Sequence, residues 1–239
     1  EEWKKVSMAD IDRLKGRLAA VRRAKVPFFY GSGFSTLAFI LTAALSLFLL
    51  ARFRGAPALF LVSDMLLLSW PWVFFAQVNK WYPAELSRRL AIFEPVLGCD
   101  LPASIKLAPK LRFDEDDMGR LIPEDVQPVL EHAAGGAADL VGVQFQCAIN
   151  KGPSGEVPYV YAVAVTRGRG PSWQKLRDMR FKRFLTEADS SVEGGVEYGT
   201  VVFRQNTKAR SDGYHTTKGD VGKLTGYMVQ ALEALRGNG

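Results

Sequence analysis

Two stretches near the N-terminus carry almost no charge, and they constrain this chain more than any other feature. Residues 27–51 read PFFYGSGFSTLAFILTAALSLFLLA, without a single Lys, Arg, Asp or Glu. Residues 57–79 read PALFLVSDMLLLSWPWVFFAQVN, with Asp64 as the one charge. A helix of about 20 apolar residues spans a hydrocarbon core of about 30 Å. Between the stretches, Arg52-Phe53-Arg54-Gly55-Ala56 leaves room only for a tight turn. The expectation is an integral membrane protein with a two-helix transmembrane hairpin over 27–82. The alternative is a buried helical hairpin in a protein folded in water, but such helices usually keep a polar face.

Basic residues next to apolar spans favour the cytoplasmic side or its equivalent in an organelle. Eight bases and four acids precede residue 31, and Lys80, Arg88 and Arg89 follow the second stretch. The connecting turn offers only Arg52 and Arg54. Both termini are therefore expected inside, with the short loop outside. Segment 1–26 reads as a basic, partly helical juxtamembrane region that anionic headgroups would attract. Nucleic acid is not expected as a partner, because the excess charge lies at the edge of the apolar stretch.

Several residues in the hairpin are candidates for specific roles. Gly31, Ser35, Ala38, Thr42 and Ser46 fall on one helical stripe, and small residues let a second helix approach closely. That helix is either the second span or a partner subunit. Asp64 is costly inside a bilayer. It is protonated and bonded to Ser46 or Thr42, paired with Arg52, Arg54 or a partner's base, or part of a proton or ion path. Pro71 removes a helix hydrogen bond and predicts a kink. Trp81 and Tyr82 are expected at the inner membrane interface.

Beyond residue 82 the composition becomes ordinarily polar. Segment 83–137 reads as a connector, with an amphipathic helix over 84–97, irregular chain over 98–122 and a helix over 123–134. Strand alternation appears at 140–149, 157–166 and 196–205. Lys151–Gly155 reads as a longish hairpin loop. Helices are expected over 172–187, capped by Ser172, and over 217–236, capped by Thr216. The last helix places Val221, Leu224, Met228, Ala231, Leu232 and Leu235 on one face. The fold class expected for 138–239 is α+β, a small antiparallel sheet of order β-β-α-β-α with helices on one face.

Chemistry is sparse. The two cysteines, Cys99 and Cys147, form no CxxC pair, and the two histidines, His132 and His215, lack metal-ligand spacing. Asp114–Asp117 lacks the alternating ligands of a calcium loop. Gly219–Thr225 fails as a phosphate loop, since Thr217 stands where its first glycine belongs. No nucleophile and base can be paired. No catalytic residue, metal site or cofactor is expected.

One constellation stands out. Arg167, Arg169, Lys175, Arg177, Arg180, Lys182 and Arg183 surround a single acid, Asp178, with Trp173, Leu176, Phe181 and Phe184 interleaved. Such a segment suits anionic lipid, an acidic partner or a small phosphorylated ligand, or is a solvated helix packed on the sheet. The functional expectation is a non-catalytic membrane-anchored accessory subunit or assembly factor with protein partners. A membrane-tethered sensory or ligand-binding module using 167–183 is the alternative. An enzyme acting on lipid comes third.

Overall fold

The structure is a computed structural model. It describes residues 2–25, 83–116, 118–133, 136–152, 155–206 and 215–236, with isolated helical positions between 41 and 64. The chain divides into two compact units, one of Glu1–Asp12 with Pro83–Gly239 and one of Arg13–Tyr82.

In the larger unit, nine strands form two antiparallel sheets. The strands are β1 (Glu2–Lys5), β2 (Ile105–Leu107), β3 (Lys110–Glu115), β4 (Leu121–Gln127), β5 (Val129–His132), β6 (Leu140–Gly152), β7 (Gly155–Arg167), β8 (Phe184–Glu193) and β9 (Val196–Gln205). One sheet has the order β1-β3-β4, the other β2-β5-β6-β7-β9-β8. Helices α1 (Met8–Lys25), α2 (Ala84–Ile92), α3 (Glu94–Leu97), α4 (Pro171–Asp178) and α5 (Lys218–Arg236) complete the described elements.

Side chains alternate across the six-stranded sheet, so one register sets both faces. Val143 lies opposite Ala164, Phe145 opposite Ala162, and Ala162 opposite Phe203. All five are fully buried. Against this face lie Trp173 and Leu176 of α4 and the apolar stripe of α5. Val221, Leu224, Met228, Ala231, Leu232 and Leu235 are each at most 1% exposed, so the spacing did identify the buried side of that helix. Phe93 and Val96, at the α2–α3 junction, add two more fully buried side chains.

Two helices begin with the same device. Thr217 Oγ1 donates to Asp220 Oδ2 at 2.7 Å, and the Asp220 N–H returns a bond to Thr217 Oγ1 at 3.2 Å. Ser7 and Asp10 repeat this at the start of α1, at 2.7 and 3.2 Å. Each exchange satisfies amides that a helix start leaves without partners. The cap of α5 is thus Thr217. Thr216 instead accepts from the Val160 N–H at 2.9 Å and donates to Gln205 Oε1, filling the ladder where β9 runs out.

Three expectations need correction. The first is the small β-β-α-β-α sheet. Helix α4 ends at Asp178, and Phe184–Glu193, read as helix and loop, is strand β8. The Gly194-Gly195 pair turns it into β9, with φ of 57° and 80°. Two glycines at positive φ form the tight hairpin turn that matches strand twist. The second is the connector. Residues 98–134 carry four strands rather than a loop and a helix. Pro123 misled the reading as a helix start, but it sits in β4, at the edge of its sheet, where a missing N–H is tolerated.

The third is the membrane assignment. Among the described residues no helix is long and apolar enough to cross a membrane, which overturns the transmembrane hairpin and the integral membrane placement with both termini inside. The longest described helix, α5, is amphipathic, and its apolar stripe packs inside the protein. Low charge shows only that side chains must leave water; it does not say whether lipid or protein receives them. Val62, in the second apolar stretch, is buried, Ser46 is half-buried, and Asp64 is exposed. Gly31, Ser35, Ala38, Thr42, Pro71, Trp81 and Tyr82 lie outside the described residues.

Candidate functional site

The basic segment forms one surface, built around a tryptophan. Helix α4 opens with Gly170 at the cap position and Pro171 in its first turn. The expected cap, Ser172, lies inside the helix. The capping carboxylate comes from Asp139, which accepts the Ser172 N–H at 3.0 Å and the Ser172 hydroxyl at 2.5 Å. A negative group here also suits the positive end of the helix. Gly170 lets that carboxylate in, since a Cβ there would lie 2.6 Å from Asp139 Oδ2.

Trp173 follows and is 8% exposed. Its Nε1–H donates to the Asp189 carbonyl of β8 at 3.3 Å. Gly199 makes room for the ring, because a Cβ at that position would meet Trp173 Cδ1 at 2.4 Å. On this fixed ring rest two cations. The guanidinium carbon of Arg169 lies 5.7 Å from the ring centroid and that of Arg177 lies 5.1 Å away. Both distances fall within cation–π range. Arg169 also reaches Glu197 at 3.3 Å and Ser190, and Arg177 contacts Asp178 at 3.0 Å.

The other bases divide. Arg167, Arg180, Lys182 and Arg183 are exposed. Arg180 donates to the carbonyls of Arg177 and Met179, at 2.7 and 2.9 Å. Lys182 and Arg183 form the turn that joins α4 to β8, closed by the Phe184 N–H on the Phe181 carbonyl at 3.2 Å. Arg183 occupies the left-handed region at φ 72°, where an ordinary side chain is strained. Lys175 belongs elsewhere: its ammonium donates to the Ala234 carbonyl in the last turn of α5, at 2.6 Å. Six of the seven predicted bases therefore remain on the surface.

A second feature was not expected from sequence. A cleft of about 270 Å³ lies between β4 and β6, lined by Trp3, Asp125, Gln127, Gln146, Cys147 and Tyr161 among others. The Asp125 carboxylate that lines it pairs through Oδ2 with Arg89 Nη1 at 2.5 Å, both side chains mostly buried. The Tyr161 hydroxyl donates to Gln146 Oε1 at 2.8 Å, and Gln127 Nε2 donates to Gln144 Oε1 at 3.2 Å. Burial pushes the Cys147 thiol up to about 11 and raises the Tyr161 phenol. Neither group ionises near neutral pH, so the thiol and the phenol stay uncharged, hydrogen-bonding groups.

These lining residues come from positions 3, 125–127, 145–148 and 161, and no spacing joins them. The available signal was the alternation in 121–132, hidden by Pro123 and Pro128. Elsewhere, His132 Nε2 lies 3.1 Å from the Leu232 carbonyl. Asp116 accepts the Met118 and Arg120 amides and the Arg120 side chain, which holds its carboxyl below the usual range. Among the described residues, no three His, Cys, Asp or Glu side chains converge on a possible metal. No family model, no curated protein and no solved structure matches this chain.

Proposed function

We propose that this protein is a non-catalytic accessory module that docks an acidic segment of a protein partner on the Arg169–Arg183 surface. The observation that carries this reading is the pair of guanidiniums resting on one buried tryptophan. Arginine forks grip carboxylates in two-point hydrogen bonds. Stacking holds the forks in place before the partner arrives, which lowers the entropy cost of binding. Arg180, Lys182 and Arg183 extend the same positive field along the turn.

A protein partner fits better than a lipid surface. Helices that seat on bilayers present an apolar side to the acyl boundary. Here the apolar residues of the segment face inward: Trp173 and Leu176 are buried, and Phe181 stacks on Tyr227 at 4.7 Å.

The test is a titration of the protein with a ten-residue glutamate peptide, run beside vesicles containing phosphatidylserine. Saturable peptide binding is expected, and Arg169→Glu with Arg177→Glu should weaken it by about tenfold or more. Arg177→Lys keeps the charge but loses the fork, and it should weaken binding less than reversal does. Vesicle binding equal to peptide binding, or indifference to both reversals, overturns the proposal.

A further inference from the structure

Strands β4 and β5 are one extended run interrupted at Pro128. Residues 121–127 belong to the three-stranded sheet and residues 129–132 to the six-stranded one. Among the described residues, strand β6 therefore has a neighbour on that side for only part of its length. Val129 lies opposite Gln144, Leu130 lies opposite Val143, and the Phe145 N–H donates to the Pro128 carbonyl at 2.8 Å. Beyond Phe145, β6 continues to Gly152, paired with β7 throughout. The chain that would have extended the ladder leaves as β4, which among the described residues pairs only with β3. The cleft opens in this fork.

Register fixes which main-chain groups face it. In an antiparallel strand, the N–H and C=O of alternate residues point to the same side. The Phe145 amide points toward β5, so those of Cys147 and Ile149 point the same way. The neighbouring pair confirms the alternation: Val160, opposite Cys147, sends its own N–H away from β6, to Thr216.

We propose that the fork is a binding site for an extended, uncharged peptide segment, which adds to β6 as a strand opposite Cys147–Ile149. A strand edge with outward N–H and C=O groups recognises main chain, and flanking side chains then select the guest. The Asp125 carboxylate that lines the cleft is already paired with Arg89 at 2.5 Å. A charged guest would lose its water without gaining a counter-ion, so the site selects against it. Trp3, 42% exposed, and Tyr161 offer aromatic walls. Two amide contacts, Tyr161 to Gln146 and Gln127 to Gln144, hold the rim in place beforehand. Threonine- and valine-type side chains suit such a half-polar, pleated setting. This inference is independent of the acidic-partner reading and uses a different part of the molecule.

The probe is an acetylated, amidated hexapeptide of alternating Thr and Val, compared with the same peptide N-methylated at alternate residues. The readout is amide hydrogen exchange resolved by residue. In the protein alone, the Cys147 and Ile149 amides should exchange faster than those of Gln146 and Ala148, which face β7. Saturating peptide should slow Cys147 and Ile149 by about tenfold or more, as newly paired strand amides do. The N-methylated peptide should not slow them, and Trp3→Ala should weaken binding without altering exchange in the free protein. Equal protection of all four amides in the free protein overturns the proposal. So does binding that leaves Cys147 and Ile149 unslowed, or no binding at millimolar peptide.

Discussion

The basic surface and the fork are built in opposite ways. The first is largely contiguous: Arg167–Arg183 supplies its cations and its tryptophan, and Asp139, Asp189, Ser190, Glu197 and Gly199 support them from elsewhere. The second is assembled from the N-terminal strand, from the chain around Pro128 and from the middle of β6 and β7. One presents net charge to solvent. The other pairs its charges internally and presents main chain and amides. A local surface of this kind follows from composition, whereas a fork exists only because a chain changes sheets.

Perturbations that separate the two surfaces would sharpen this contrast. The largest effect should come from the core they share. Phe203→Ala removes a fully buried ring that meets Phe181 of the basic turn and shares a cross-strand row, through Ala162, with Phe145 of the cleft; it should cost about 3–5 kcal/mol in urea unfolding. If one surface kept full binding while the other lost it, the common support would be refuted.

Gly199→Ala should act on one side only. The new methyl would press on Trp173 and on the Gly168 carbonyl, 2.6 Å away, at a cost of about 1–3 kcal/mol. Acidic-peptide binding should fall, while exchange at Cys147 stays unchanged. A matching change in the fork would erase the distinction.

Arg183→Gly should move stability and binding in opposite directions. Glycine accepts positive φ without strain, so stability should hold or rise by up to about 1 kcal/mol. Glutamate-peptide binding should still weaken. A loss of stability would show that the Arg183 side chain packs rather than waits.

The smallest effect concerns the fork's side of the molecule and depends on pH. Glu131 on β5 accepts Lys5 of β1 at 2.8 Å and Lys106 of β2 at 3.3 Å. Burial opposes its ionisation, but the two ammonium hydrogen bonds prevail and hold its carboxyl below 4.5. A depressed carboxylate contributes stability that is complete above the unfolded value and lost as pH falls through the folded one. Unfolding between pH 6 and 3 should therefore show a loss of under about 1 kcal/mol that Glu131→Gln abolishes. An unchanged slope in that variant would remove Glu131 as the source.

Much of the large sheet was legible because its alternation is strong. VPYVYAVAVT and VEYGTVVFRQ alternate strongly enough to fix strands β7 and β9, and the stripe from Val221 to Leu235 fixes the buried side of α5. Strand β8 was harder, since it is an edge carrying Glu187, Asp189 and Glu193, and acids blunt its hydrophobic pattern. Its clearest mark was the Gly194-Gly195 turn. The strands over 105–132 are short and interrupted by prolines, and their partners lie far away in sequence. The apolar stretches misled for another reason. Hydropathy reports a tendency to leave water and not what receives the side chains; among the described residues of these stretches Val62 is buried, while Leu41, Phe48 and Phe60 are exposed. The basic surface was visible in outline, but Lys175 was misplaced because its acceptor lies 59 residues away. The fork could not be seen, because nothing local to Trp3 points to Gln146.

Pro128 has a mechanical corollary. At that residue a single peptide link passes from one sheet to the other, and the Pro128 carbonyl is also bonded to β6. Pulling β4 loose tugs on the rung that aligns β5, so damage to the small sheet spreads to the large one. A second crossing at Ala108-Pro109, between β2 and β3, ties the same two sheets, so they should melt in a single cooperative step and the fork should hold its opening until they do.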